Sequence, residues 1–167
     1  MKPESVNAYE AAYIRKIDSD SDLKFNIYYL VNKDQINAQN TASTFMNSGD
    51  NELYGFEAEF TTKFTKKDKF YINYSRVDGA NVNATLADSA KDMIKTYYMY
   101  NLNSHLNISI ILKYVGDKDR IKSDTRDNTD EYITTDISLG YTYKPYDLSI
   151  NASLKNVFDE KYYLPAP

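Results

Sequence analysis

The residues able to do chemistry gather in the polar stretches of this 167-residue sequence. The densest stretch runs from Gly116 to Glu131, where Asp117, Asp119, Asp124, Asp127, Asp130 and Glu131 are mixed with Lys118, Arg120, Lys122 and Arg126. A solvated loop accounts for such a mixture. Beyond that, Arg120 and Arg126 are the candidates to meet an anionic chelate, because a guanidinium offers a bidentate fork to carboxylate-type oxygens. Asp18, Asp20 and Asp22 imitate the opening of a calcium loop, but the places that need glycine and a bidentate glutamate hold Leu23 and Tyr29. An acidic hairpin turn is expected there. His105 stands beside no other His or Cys and reads as a surface residue, not a haem ligand. Glu57, Glu59 and Asp136 have no base or nucleophile at a spacing that would make a catalytic pair. The sequence therefore predicts no catalytic residue, no resident cofactor and no metal site. Glycosylation-type triplets beginning at Asn83, Asn107 and Asn151 read as chance matches.

Composition narrows the class. Cysteine is absent, which removes disulfides, thiolate nucleophiles and Cys-ligated metals together. A net charge of -4 gives no reason to expect nucleic acid as a partner. Mean hydropathy is -0.63 and no apolar run approaches the roughly 18 residues of a membrane-spanning helix. A β-barrel escapes that test, because its strands are apolar on one face only. The opening Met1-Lys2-Pro3-Glu4-Ser5-Val6 has no apolar leader core, so an outer-membrane protein would have its beginning upstream.

The elements that must position these residues are strands. Period-2 alternation recurs along the chain and predicts eight of them, at about 5–17, 23–33, 52–64, 69–77, 92–102, 106–115, 131–143 and 147–156. Most are long enough to cross a bilayer at a tilt, which takes about 9–11 residues. In the third, Tyr54, Phe56, Ala58, Phe60, Thr62 and Phe64 share one face, and Gly55, Glu57, Glu59, Thr61 and Lys63 share the other. The sixth sets Leu106, Ile108, Ile110, Leu112 and Tyr114 against Asn107, Ser109 and Lys113. Charge is missing from the middle of the apolar rows, as lipid contact requires. A soluble sandwich or lipocalin-like barrel would satisfy the same alternation by turning those rows to a core.

The connections separate the two. Asp18 to Asp22, Thr65 to Asp68, Asn103 to His105 and Lys144 to Tyr146 are short, whereas Asp34 to Asn51, Asp78 to Lys91 and Gly116 to Asp130 are long and polar. Strict short–long alternation puts every long loop at one end, as in outer-membrane barrels with tight periplasmic turns and long extracellular loops. Tyrosines and phenylalanines towards the strand ends, Tyr13, Phe64, Phe70, Tyr100, Tyr114, Tyr132, Tyr141 and Tyr143 among them, fit an interfacial girdle.

Three passages carry a family resemblance. Leu154-Lys155-Asn156-Val157-Phe158-Asp159-Glu160-Lys161-Tyr162-Tyr163 resembles the L-x-N-[LV]-F-D-x-x-Y stretch near the end of TonB-dependent receptors. Lys2-Pro3-Glu4 with Ala8-Tyr9-Glu10, and Tyr54-Gly55-Phe56-Glu57-Ala58-Glu59, resemble two earlier strand motifs of that family, in its order and spacing. The resemblance implies a receptor of the bacterial outer membrane, with a barrel of about 22 strands filled by an N-terminal plug. It implies outer-membrane lipid, that plug and the TonB complex as partners, and a small-molecule metal chelate of the ferric siderophore, haem or cobalamin class as cargo. The sequence has neither plug nor TonB box. It stops at Leu164-Pro165-Ala166-Pro167 where the family has a final strand, so residues 1–167 would be the C-terminal third of the barrel, strands fourteen to twenty-one.

The expectation is thus an all-β, antiparallel up-and-down meander of about eight long strands, part of a large transmembrane β-barrel and left as an open, curved sheet. The alternative is a complete eight-stranded binding barrel, which requires the first and eighth strands to pair.

Overall fold

The computed structural model describes residues 1–38, 45–47, 49–81, 88–120 and 124–164. Strands β1 (Ser5–Lys16), β2 (Asp22–Lys33), β3 (Ile36–Ala38), β4 (Phe45–Asn47), β5 (Asn51–Thr62), β6 (Asp68–Asn81), β7 (Asp92–Asn101), β8 (Leu106–Val115), β9 (Tyr132–Tyr143) and β10 (Leu148–Leu154) follow one another, with a single-turn 3-10 helix at Lys144–Tyr146 as the only helix among the described residues. Eight of them form one sheet in the order β1-β2-β5-β6-β7-β8-β9-β10, and every pairing is antiparallel. The short β3–β4 hairpin lies inside the first long connection, where the sequence suggested only a polar loop. β6 runs past the expected 77 to Asn81, and β10 ends at Leu154, before the expected 156, because Asn156 takes a left-handed φ of 48°. Asparagine tolerates that conformation better than most residues, so it is a natural strand stop.

Register confirms the segregation of faces. Phe56 is paired with Ile27 and Arg76, and its neighbour Glu57 with Asn26 and Ser75. Ile110 lies between Tyr98 and Ile137, and Ser109 between Met99 and Ser138. Directly paired residues share a face and successive residues alternate. One surface therefore carries Phe25, Ile27, Phe56, Phe60, Ile108, Ile110, Ile137 and Leu139, and the other Asn26, Glu57, Glu59, Asn107, Ser109, Asp136 and Ser138. On the first surface charge appears only towards the strand ends, at Arg15, Lys33, Glu52, Asp68, Arg76, Asp78 and Asp92.

No second layer covers the apolar surface among the described residues. Ala90 is the one buried apolar residue there, while Ile27, Ile110, Leu139 and Ile150 are 48, 40, 47 and 54 % exposed. A soluble sandwich hides such rows in a core. This sheet presents them outwards, which is the arrangement of a barrel wall. β1 pairs with β2 alone and β10 with β9 alone, so the sheet is open and the closed eight-stranded alternative loses its necessary pairing.

Antiparallel succession sends all the tight turns to one rim and all the long connections to the other. The tight turns are held by side chains of the types found there. Asp18 accepts the Asp20 N–H at 2.8 Å. Asp68 accepts those of Phe64 and Thr65 at 2.8 and 2.9 Å. Asn103 accepts those of His105 and Leu106 at 2.8 and 2.9 Å. Such local acceptors reproduce a backbone turn. The aspartates that imitate a calcium loop thus include a turn-forming one, and that hydrogen bond from Asp20, followed by Ser21, holds the Asp18 carboxyl below its ordinary range. On the polar surface Gly55 gives room for its cross-strand partner Tyr28: a β-carbon there would meet the Tyr28 Oη at 2.5 Å and also the Arg76 carbonyl.

Candidate functional site at the long-loop rim

At the long-loop rim the backbone extends the sheet locally beyond the strand ends. Lys118 bridges Ala90 on one side and Thr129 on the other, and exchanges both backbone hydrogen bonds with Thr129, at 2.9 and 3.1 Å. The β6–β7 and β8–β9 connections are thereby joined at their bases. Asp119 reinforces the joint: its carboxylate receives Lys91 Nζ at 2.7 Å and Asn128 Nδ2 at 3.0 Å, and its carbonyl receives the Asp88 N–H at 2.7 Å. The hydrogen bond to Asp119 is the main reason that the Lys91 ammonium holds its proton more tightly than usual.

The structure brings Arg120 and Arg126 together on one carboxylate. Arg126 Nε and Nη2 donate to Asp124 Oδ1 and Oδ2 at 2.9 and 2.7 Å, and Arg120 Nη1 reaches Asp124 Oδ2 at 3.3 Å. Arg120 is further fixed by Nε donating to the Asp127 carbonyl at 2.7 Å. Its side chain and that of Asp124 are only 15 and 14 % exposed, whereas Arg126 is 55 % exposed. The Arg126 side of this cluster faces solvent, with the Asp88 charge also acting on its guanidinium. His105 is at the opposite rim, where its Nδ1 faces the Thr142 carbonyl at 3.1 Å.

Asp124 carries a pH prediction. Its carboxyl is held far below the ordinary carboxylate range, first by the Arg126 side chain, then by the Arg126 backbone N–H and by the charges of Arg126 and Arg120. A depressed folded value means that the group's stabilising contribution is complete above the ordinary value of about 3.9 and is lost only as pH falls through the folded one. Protection of the Arg126 amide, its exchange rate relative to an unstructured chain at the same pH, should therefore hold from neutral pH down to about pH 4 and fall only below it. Asp124→Asn should lose that protection already at pH 7. An unchanged exchange rate in that variant would show that the cluster does not order the loop.

The polar surface below this rim carries the acidic residues singled out in the sequence. Glu59 receives Lys24 Nζ at 2.6 Å and the Tyr71 hydroxyl at 3.2 Å. Asp136 receives Lys113 Nζ at 3.2 Å with one oxygen and the Asn156 N–H at 2.9 Å with the other. Asn156 then closes a loop with Glu160, its side chain donating to the Glu160 carbonyl and accepting the Glu160 N–H, both at 3.0 Å. Tyr162 consequently stacks on Tyr132, with ring centroids 4.1 Å apart and planes 12° apart. The Asn156–Asp159 motif is thus a fold-back that ties the segment after β10 to β9. Sequence reasoning missed this tie, although an asparagine just after a strand, with Asp159 also at positive φ, is turn chemistry that announces it.

An open antiparallel meander, apolar and uncovered outside, polar inside, with its long loops on one rim, defines a segment of an outer-membrane-type β-barrel wall. The TonB dependent receptor-like, beta-barrel family model matches residues 1–157, and the chain belongs to that family. Solved structures agree in fold. The copper transporter OprC superposes with a TM-score of 0.82 at 16% identity, over 98% of this chain and 27% of that one. The FrpB iron transporter from Neisseria meningitidis gives 0.81 at 16% identity, over 98% and 27%. The ferric-catecholate import receptor Fiu from E. coli K12 gives 0.73 at 18% identity, over 96% and 24%. The chain thus spans about a quarter of the length of these proteins. No curated protein sequence matches it.

Proposed function

We propose that residues 1–167 are the C-terminal part of the barrel of a bacterial outer-membrane receptor that imports a small metal chelate, of the ferric siderophore, haem or cobalamin class. The observation that carries this reading is the family match over residues 1–157, and the transport roles of the superposable proteins support the cargo class. The uncovered apolar surface faces lipid, and the long-loop rim faces the cell exterior. Arg120 and Arg126 are the contacts for an anionic chelate at that rim.

A plug in the lumen, coupled to the TonB complex, completes the reading. The inward surface supports a plug because it is not uniformly wet: Ala8, Ala12, Ile14, Leu30, Met93 and Ile111 lie on it among the charged residues. Such a mixture suits packing against protein better than lining a water-filled channel. The test is uptake by cells expressing the full-length protein. Radiolabelled ferric or cobalt chelates should accumulate in a TonB-dependent way, with the protein in the outer-membrane fraction. Outer-membrane residence without uptake of any chelate would reject the cargo class and leave the barrel reading intact; an inner-membrane or soluble location would reject both.

A further inference from the structure

One groove on the apolar surface ends in charge. A cavity of about 340 Å³ lies between Phe25 and Ile27 of β2, Tyr54 and Phe56 of β5, and Arg76 and Asp78 of β6. Register puts all six side chains on the outward surface: Ile27, Phe56 and Arg76 form one row across the strands, and Tyr54 with Asp78 lies in the next. The volume falls within the range of small-molecule sites, about 300–1,000 Å³.

The groove has a direction. β2 leaves the tight-turn rim at Asp22, so Phe25 marks the end nearer that rim. β6 runs towards the long loops and ends at Asn81, so Asp78 marks the opposite end. Phe25 and Phe56 close the apolar end, with ring centroids 5.9 Å apart. From the tight-turn side to the loop side the lining thus passes from hydrocarbon and aromatic to charged. A lipid lying along a barrel wall changes in the same sense, from chain to head.

The charged end offers both signs. Arg76 gives only Nη1 to Asp92, at 2.9 and 3.0 Å, and its side chain remains 46 % exposed. Nε and Nη2 stay clear of that carboxylate, and such a guanidinium edge suits two oxygens of a phosphate. Asp78 accepts the Gly79 N–H at 2.8 Å with Oδ1, while Oδ2 has no donor among the described residues. Arg76 and Asp78 leave one strand on the same face two residues, or roughly 7 Å, apart. The other charges nearby are engaged: Asp92 also accepts the Tyr74 hydroxyl, Lys91 is held by Asp119, and Glu52 has the Tyr29 hydroxyl beside it.

We propose that this groove binds one phospholipid with an ethanolamine head, from the leaflet on the long-loop side. Its chain lies over Phe25, Ile27 and Phe56, its phosphate meets Arg76, and its ammonium meets Asp78. Two carbons separate phosphate from amine, a span that neighbouring same-face residues can bracket. A glycerol head leaves the Asp78 charge uncompensated, and a choline head has no N–H to donate to it. The proposal rests on the apolar surface facing lipid and is independent of which cargo the barrel carries.

The test is native mass spectrometry of the full-length protein in detergent, titrated with phosphatidylethanolamine, phosphatidylglycerol and phosphatidylcholine. The first bound phosphatidylethanolamine should be held about tenfold more tightly than either of the others. Arg76→Gln should weaken that first binding about tenfold, and Asp78→Asn should abolish the preference for ethanolamine over glycerol. Ile27→Trp fills the groove without touching either charge, and it should remove the tight first binding as well. Equal affinities for the three lipids in a protein that inserts into vesicles would overturn the proposal and leave the lipid-facing surface standing. A preference that survives both Arg76→Gln and Ile27→Trp would place the lipid elsewhere and overturn it too, as would displacement of phosphatidylethanolamine by an equal concentration of a phosphorylated glucosamine lipid. A full-length protein that does not insert into vesicles at all would overturn the proposal together with the lipid-facing surface.

Discussion

Ile110→Arg should destabilise the full-length barrel by about 2–4 kcal/mol, the range for a cation forced onto the lipid face near the bilayer midplane. Ile110 sits at the middle of β8 between Tyr98 and Ile137, on the surface with no covering layer. Its neighbour Ser109 lies between Met99 and Ser138 on the opposite surface. Ser109→Arg should therefore cost much less, because a long polar side chain there enters a polar lumen already lined by Lys95, Lys113 and Asp136. The pair is informative because the two sites are adjacent in one strand and lie on opposite faces of the sheet. Denaturant titrations of the full-length protein in lipid vesicles measure both. Equal costs at 109 and 110 would show that the apolar surface does not face lipid.

The parts legible in the sequence are those governed by short-range rules. Alternation such as Tyr54-Gly55-Phe56-Glu57-Ala58-Glu59 encodes both the strand and its two faces, and short turns between such strands leave room only for neighbour pairing. The meander, the faces and the two rims follow from these rules. The rim chemistry did not follow, because it depends on which loop residues meet across large sequence separations. Nothing in the alternation of charges between Gly116 and Glu131 says that Asp124 takes both Arg120 and Arg126 while Lys118 is left buried over Tyr132. The β3–β4 hairpin was likewise illegible, since three-residue strands carry too little period to stand out from a polar loop. Tyr132 and Tyr162 meet only because the Asn156 turn folds the chain back, and tyrosine spacing alone does not reveal that.

The isolated 1–167 chain should fail to remain monomeric in detergent-free buffer. Two independent features of the sheet drive this. β1 and β10 are both edges: β1 pairs only with β2 and β10 only with β9, so each presents a row of free backbone donors and acceptors. Edges of that kind recruit further strands unless charges, prolines or bulges block them, and β10, Leu148-Ser149-Ile150-Asn151-Ala152-Ser153-Leu154, has none of the three. Across the whole sheet the apolar surface is exposed as well, and a patch far larger than a few hundred Å² is not stable as a monomer in water. Closing the sheet to hide both would require tight curvature, which strands suited to a wide barrel resist. Sedimentation of the refolded chain should show large, heterogeneous species in buffer and discrete ones in detergent. In the detergent form, amides along β1 that point away from β2 should exchange orders of magnitude faster than those of β7 and β8, which are paired on both sides. A monodisperse monomer in buffer with protected β1 amides would mean that β1 and β10 pair with each other, and the chain would then be a small closed barrel in its own right.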